Sequence, residues 1–496
     1  MRIKSFFAKI YAHIVKRNIH KWASNPIKTQ EIVFQKLIKE AQNTAFGIDH
    51  QFSKIKTYTD FKKQVPVKDY EELRPYIDRV VAGEKNVLWK GKPLYFAKTS
   101  GTTSGTKYIP ISTESMPYHI KAAKHALLMY IAETGKADFV NGKMIFLQGS
   151  PILETKNGIQ TGRLSGIAAH FIPNYLQKNR MPTWETNCID DWETKVNAIV
   201  DETINEDMTV ISGIPSWVQM YFEKLIEKSG KNVGTLYKNF NLFVFGGVNF
   251  EPYRQKFENL IGRKVDSIEL FPASEGFFAF QDCQQEKGML LLLNSGMFYE
   301  FIPSDEFFNE NPTRISIADV KLGVNYVLIL NTNAGLWGYN IGDTVIFTSL
   351  KPYRVIVSGR IKHYISAFGE HVIAKEVEYA LKETVENRNI SINEFTVAPQ
   401  VTPIVGLPYH EWFIEFENEP KDMNHFAAIL DQKMQEQNAY YFDLIEGKVL
   451  QPLKISKVVK GGFQNYMKSI GKLGGQNKVP RLSNDRKIAD QLEIIK

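Results

Sequence analysis

Thr99 to Lys107 reads T-S-G-T-T-S-G-T-K, a run of small, hydroxylated or glycine residues that closes on one lysine. Such a run cannot form a packed helix or a buried strand of its own, but it can wrap a phosphate. Glycine admits positive φ and close backbone approach, while hydroxyls and successive N–H groups donate to anionic oxygens. Walker A geometry does not fit. That motif needs four residues between its glycines and then Gly-Lys-Ser/Thr, whereas Gly101 and Gly105 enclose three and Thr106 precedes Lys107.

Three further clusters carry chemistry. In Phe271-Pro272-Ala273-Ser274-Glu275-Gly276, Glu275 can hold a magnesium ion that bridges phosphate oxygens and Phe271 can lie against a purine; the bland alternative is a core phenylalanine and a helix-capping glutamate. In Tyr339-Asn340-Ile341-Gly342-Asp343, the aspartate can accept both ribose hydroxyls as the acidic residue of a dinucleotide fold does, or Gly-Asp can be an ordinary turn. The longest cluster runs from Ser358-Gly359-Arg360-Ile361-Lys362 to Gly369-Glu370-His371-Val372 and is followed by Glu376-Val377-Glu378.

The elements that must position these residues form two patterns. From Lys143 to Phe271, strand-like runs at Met144 to Leu147, Met208 to Ile211, Leu242 to Phe245 and Val265 to Phe271 alternate with helical stretches at Ser216 to Glu227 and Pro252 to Ile261. This alternation predicts a layered α/β domain with ligands at the carboxyl ends of its strands, where Gly246-Gly247 and the Phe271 segment fall. From Gly288 to Val357 successive strand-like runs predict a small antiparallel or barrel-like subdomain. A new unit begins near residue 360, with a helix at Lys375 to Val385 and a strand at Trp412 to Phe416. Gly461-Gly462 and Gly471 to Gly475 mark mobile connections.

Length and composition set the class. A chain of 496 residues accommodates two or three domains, and 43% hydrophobic with 23% charged residues is ordinary for a globular protein. The net charge of +7 is spread among acids, which describes a solvated surface and gives no nucleic-acid partner. Only Cys188 and Cys283 occur, without metal or disulfide spacing, which suits a reducing cytoplasm. Met1 to Trp22 carries Phe6, Phe7, Ile10, Tyr11, Ile14 and Val15 at helical spacing, interrupted by Lys9 and Lys16. A first helix packed on the body is expected, with a membrane-surface helix as the minor alternative, and neither a spanning segment nor a membrane partner is expected.

The cluster at 359–372 resembles the hinge motif of the adenylate-forming superfamily, G-R-x-x-x-x-I-x-x-x-G-E-x-[IV] followed by paired glutamates, and the Thr99 loop resembles that superfamily's phosphate loop. Within it the chain is similar to the auxin-responsive promoter family, plant-type acyl-acid amido synthetases and their bacterial relatives. The loop runs on to Pro110, an aromatic-x-x-Ser-Glu motif replaces Thr-Glu, and Gln476-Asn477-Lys478-Val479-Pro480-Arg481 resembles that family's Q-Y-K-x-P-R. Asn340 and Asn477 stand where the family usually has Arg and Tyr.

The resemblance implies a firefly-luciferase-like α/β architecture: a large N-terminal adenylation domain over 1–359, with a β-rich, barrel-like subdomain at 288–357, and a small mobile α+β domain over 360–496. It implies an ATP-dependent ligase that converts a small carboxylic acid to acyl-AMP and passes the acyl group to an amine, an amino acid being the expected acceptor. An acyl-CoA ligase and a non-catalytic nucleotide- or acid-binding relative stand as alternatives. Ser100, Gly101, Thr102 and Thr103 would hold the ATP phosphates. Glu275 would hold Mg2+, with Phe271 against adenine, Ser274 beside it, and Gly246 and Gly247 in the adenine wall. Asp343 would bind ribose, Arg360 would assist, and Lys362 at the hinge would reach the nucleotide. Lys478 would be the catalytic lysine at the α-phosphate, with Lys472 as a competitor. Lys107, His119, His170 and His371 have bland readings. The acid, the amine and the oligomeric state are not legible.

Overall fold

A computed structural model describes residues 3–495 other than 101–105, 172–177, 248–249, 362–363, 366–371, 387, 402, 475–477 and 484. The chain forms two compact units, one of 1–248 with 260–357 and one of 249–259 with 358–496.

The first unit is built on a twelve-stranded sheet. Its parallel half sets Arg180–Met181, Lys143–Phe146, Met208–Ser212, Leu242–Gly246 and Asp266–Ala273 side by side in that order. Their centres, Ile145, Val210, Ile211, Leu242 to Val244 and Ile268, are apolar and buried, as expected where helices cover a sheet on both faces. Pro215–Ser229 is one helix expected between them, and Glu251–Ile261 is the other, most of it counted with the second unit.

The sheet does not stop at Ala273. It continues through Gly276–Phe280, Met289–Leu291, Tyr353–Arg360, Tyr339–Leu350, Asn325–Thr332, Met297–Pro303 and Ile315–Ser316. The strands expected between 288 and 357 are therefore present and pair antiparallel, one of the two arrangements expected, and they continue the parallel sheet. The junction is the hairpin of Asp266–Ala273 with Gly276–Phe280, in which Phe271 faces Ala279 and Ala273 faces Gly276. A strand that leaves this hairpin antiparallel offers its free edge to Met289–Leu291, so pairing propagates.

A second, four-stranded sheet orders Thr106–Ile111, Tyr95–Ser100, Ile159–Gly162 and Glu154–Lys156. The first helix, Ile3–Ala23, packs against Met116–Thr134 through Ala12, Val15 and Ile19, while buried Ser5 meets the segment beyond that helix. The packing face differs from the one the spacing suggested: Phe6, Phe7, Ile10, Tyr11 and Ile14 are exposed. Small Ala12 lets the helices approach, and the Ser5 hydroxyl donates to the Ala137 carbonyl at 3.1 Å.

The second unit is α+β. Ser391–Gln400, Tyr409–Asn418 and Lys454–Lys457 form a three-stranded sheet, and the helices Ala374–Val385 and Met423–Gln437 contribute Val377, Leu381, Phe426 and Leu430 to one core with Phe395, Trp412 and Ile414.

Candidate active site

The Thr99 run is the tip of a β-hairpin. Tyr95–Ser100 pairs antiparallel with Thr106–Ile111 in a register that sets Thr99 opposite Lys107 and Ser100 opposite Thr106. Four residues expected in a free loop are thus strand residues, because Tyr95 to Ala97 and Tyr108 to Ile111 supply enough β propensity to zip the ladder up to the glycines. Gly101, Thr102 and Thr103 lie outside the described residues, and Ser100 is described by its backbone alone. Lys107 lies over the Tyr70 ring, 5.2 Å from its centroid. This contact braces the hairpin.

Ser274 and Glu275 are the two residues of the turn that closes the Asp266–Ala273 hairpin. Glu275 therefore caps no helix; it is half-buried at the tip of two strands, beside the carboxyl ends of the parallel set. Ser274 is buried next to it. Phe271 is only 6% exposed and meets Phe278 edge to face, with centroids 5.0 Å apart. Its ring packs on the core and supports the turn that carries Glu275. Gly246 ends the neighbouring strand, opposite Leu270. A Cβ there would meet the Leu270 carbonyl oxygen at 2.5 Å, so the bare backbone is what lets the two strand ends come together. Gly247 follows at φ +82° and is exposed.

Asp343 is inside a strand, and what aims it is a bulge. Along Tyr339–Leu350, Asn340 pairs with Ile329 and Thr344 with Val327, so Ile341, Gly342 and Asp343 together face Leu328 alone. Extra residues of this kind leave the ladder and re-aim a side chain. Gly342 supplies the φ of +88°, and buried Asn340 holds the loop by accepting the Gly342 N–H on Oδ1 at 2.8 Å. Asn340 is thus an internal brace here.

These three places are joined by residues that sequence reasoning missed. Tyr339 donates its hydroxyl to Glu275 Oε1 at 3.4 Å. Its neighbours Gly338 and Asn340 bracket Lys68, whose N–H donates to the Gly338 carbonyl at 2.9 Å and whose carbonyl accepts the Asn340 N–H at 2.8 Å. Two residues on, the Tyr70 hydroxyl accepts the Tyr108 N–H at 2.8 Å. Burial pushes the Tyr70 phenol up from its ordinary range, so it stays a neutral partner. Glu275, the Asp343 bulge and the glycine-rich hairpin are in this way tied together within one unit.

In the second unit, Arg360 is the exposed last residue of the Tyr353–Arg360 strand. Lys362 lies outside the described residues. Lys478 is exposed and precedes a clamped segment. The Thr396 hydroxyl donates to the Pro480 carbonyl at 2.7 Å, and Val397 N–H donates to the Arg481 carbonyl at 3.0 Å. Arg481 is nearly buried, pairs with Glu378 at 3.2 Å and with Glu394, and lies over the Phe395 ring. The paired glutamates after the hinge motif thereby acquire distinct tasks. Glu376 Oε2 accepts the Ile373 N–H at 2.9 Å to start the helix, and Glu378 anchors the lysine segment. Lys472 is exposed and its N–H closes the end of Gly462–Ser469 on the Met467 carbonyl.

Among the described residues no group of three or more His, Cys, Asp or Glu is arranged to hold a metal. A lone carboxylate on a strand-end turn fits magnesium, which keeps several waters and takes one or two carboxylates beside substrate phosphates. It does not fit a resident zinc. His119 is buried, and burial lowers its pKa to about 4. His170 Nε2 lies 2.9 Å from the Pro151 carbonyl oxygen, and His371 is outside the described residues.

Family models match at three places: the GH3 family N-terminal domain at residues 15–186, its central domain at 290–360 and its C-terminal domain at 375–487. The chain belongs to the GH3 family. Among curated relatives this GH3 chain is 23% identical to the indole-3-acetic acid-amido synthetase GH3.3 of Arabidopsis thaliana, covering 88% of this chain and 87% of that one. It is 22% identical to the 4-substituted benzoates-glutamate ligase GH3.12 of the same plant, over 87% and 89%. Its fold matches that of the AtGH3.15 acyl acid amido synthetase solved with 2,4-DB, with a TM-score of 0.80, 17% identity, and coverage of 98% and 96%. A 2-hydroxyisobutyryl-CoA ligase shares the fold at a TM-score of 0.60 and 12% identity, over 93% and 90%. The GH3 chain thus has the adenylate-forming architecture and is an ATP-dependent acyl-acid amido synthetase, a ligase that forms a carbon–nitrogen bond after adenylation.

Proposed function

We propose that this GH3 enzyme activates a small carboxylic acid as acyl-AMP and passes the acyl group to an amino acid, using the hairpin tip, Glu275, Asp343 and Lys478. The observation that carries this reading is the chain of contacts from Glu275 through Tyr339 and Lys68 to Tyr70 and the hairpin. A phosphate cradle, a magnesium carboxylate and a ribose acceptor are the groups a nucleoside triphosphate requires.

The chemistry explains each residue type. A carboxylate is a poor acyl donor because its oxygen leaves badly, and joining that oxygen to AMP makes it leave well. Attack on the α-phosphate expels pyrophosphate and piles negative charge on phosphoryl oxygens. Fixed donors and cations aimed there do the catalysis. Ser100, Gly101, Thr102 and Thr103 would supply donors, and Lys478 a charge. Magnesium, held by Glu275, would neutralise phosphate charge. Asp343 accepts the ribose hydroxyls, Gly246 and Gly247 leave room for the base, and Arg360 and Lys362 assist. No protein nucleophile is needed, since the amine attacks acyl-AMP directly and releases AMP.

The first domain, 1–359, is assigned adenylation and the second, 360–496, delivery of Lys478 and its withdrawal before the amine arrives. Between the lysines, Lys478 is preferred because Arg481 and Pro480 fix the backbone just beyond it. Cytoplasmic residence is part of this reading, and two thiols that form no disulfide, Cys188 and Cys283, suit a reducing compartment.

The test is exchange of labelled pyrophosphate into ATP in the presence of an acid library, followed by product analysis with amino acids or CoA as acceptor. Acid-dependent exchange with amide product supports the reading. Thioester alone overturns it.

A further inference from the structure

The helix Ile3–Ala23 has two apolar faces, and the body uses one. Ala12, Val15 and Ile19 are buried against the helix Met116–Thr134. At 3.6 residues per turn, Ile3, Phe6, Phe7, Ile10, Tyr11 and Ile14 line the opposite side. Phe7 is 62% exposed and Ile3 75%. Val401, Ile404, Val405 and Leu407 are also exposed, but on an irregular segment, whereas these six share one face of just over three helical turns, which is the mark of an interaction site.

Charge decides the occupant. The helix carries Lys4, Lys9, Lys16, Arg17 and Lys21 and no acid. Lys9 and Lys16 flank the apolar stripe on one side and Lys4 on the other, while Arg17 and Lys21 continue it over the last turns. Lys124 of the neighbouring helix adds to it, donating to the Tyr11 hydroxyl at 3.3 Å. The nearby Asp138 carboxylate accepts from Ser5 on the inner side and does not face the stripe. A second copy docked on this face would set cations against cations. No helix of the described residues is long and apolar enough to cross a membrane.

We propose that this face docks on an anionic lipid bilayer. The aromatic and aliphatic side chains enter the boundary between headgroups and acyl chains, and the flanking lysines lie at headgroup level, as in interfacial helices rich in Lys/Arg with Phe and Leu opposite. This role is additional to the ligase reaction and uses none of its residues.

Flotation of the full-length protein with vesicles of phosphatidylcholine alone, or with about one-third phosphatidylserine, tests it. Binding to the anionic vesicles is expected to be about tenfold stronger or more and to weaken as salt rises. The exposed triple variant Phe6→Ser, Phe7→Ser, Ile10→Ser should lose that binding while its melting temperature and pyrophosphate exchange stay unchanged, and Lys4→Gln with Lys9→Gln and Lys16→Gln should lose the anionic preference. Equal partition to both vesicles, or undiminished binding by both variants, overturns the proposal. So does a wild-type dimer that the triple variant dissolves without vesicle binding, since the occupant is then a second copy.

Discussion

Tyr339 donates its hydroxyl to Oε1 of Glu275 across 3.4 Å, although the two stand on different hairpins of the same sheet. The bond ties the Asp343 bulge, the proposed ribose acceptor, to the proposed magnesium carboxylate. In the proposed mechanism Tyr339 is a positioning residue for Glu275.

Replacing Tyr339 by Phe removes only that hydroxyl. A hydrogen bond to a charged group contributes about 1.5–3 kcal/mol at good geometry, and this one is long. Pyrophosphate exchange should fall roughly three- to tenfold at limiting magnesium, recover partly at high magnesium, and leave the melting temperature unchanged. Glu275→Gln should lose roughly 100-fold at any magnesium concentration. An exchange rate for Tyr339→Phe that does not depend on magnesium would show the bond to be structural only.

Gly342→Ala tests the bulge without removing the aspartate. At φ +88° an alanine is strained by about 1–2 kcal/mol, so Asp343 should be displaced and KM for ATP should rise several-fold. Asp343→Ala should raise KM for ATP roughly tenfold while the KM for the acid stays put. Equal changes in both constants would place Asp343 outside the nucleotide site.

Arg481 and Lys478 should separate stability from chemistry. Arg481→Met leaves Glu378 and Glu394 nearly buried without their cation, a loss of about 3–5 kcal/mol readable in denaturant unfolding. Arg481→Lys should recover part of it, because a lysine keeps the charge without the planar fork. Lys478→Ala is exposed and should leave stability alone while slowing adenylation roughly 100-fold. Lys472→Ala should do neither.

His119 predicts an acid limb of stability. Burial holds its folded pKa at about 4, below the unfolded value of 6.5. The unfolded chain therefore binds the proton more readily, so the contribution is complete above pH 6.5 and is lost as pH falls through 4. The size is about 3 kcal/mol. His119→Leu should flatten that limb in thermal unfolding between pH 6.5 and 4. An unchanged limb would mean that other groups set it.

Much of this was legible because hydrophobic runs report burial. The strands Met208–Ser212 and Leu242–Gly246 and the helix Pro215–Ser229 lie within two residues of their expected limits, and the motif order led to the family. What sequence withheld depended on contacts distant along the chain. Nothing near Lys68 or Tyr70 marks them, since their roles come from Gly338, Asn340 and Tyr108. Spacing revealed that the first helix is apolar but not which stripe meets the body, because small Ser5 and Ala12 decided that. The strand-end position of Phe271 was legible, but its edge-to-face contact with Phe278 was not, since the partner is set by the hairpin register. Nor does a run of short strands say whether it closes on itself or extends a neighbour.

The most direct measurement follows the oxygen. With a carboxylic acid labelled by 18O, ATP, magnesium and an amino acid, attack on the α-phosphate followed by amide formation must leave one labelled oxygen on AMP, detected by mass spectrometry beside the amide. Label in AMP, with unlabelled pyrophosphate, is the expected result. Label in inorganic phosphate with ADP, or amide formed without labelled AMP, would contradict adenylation at this site.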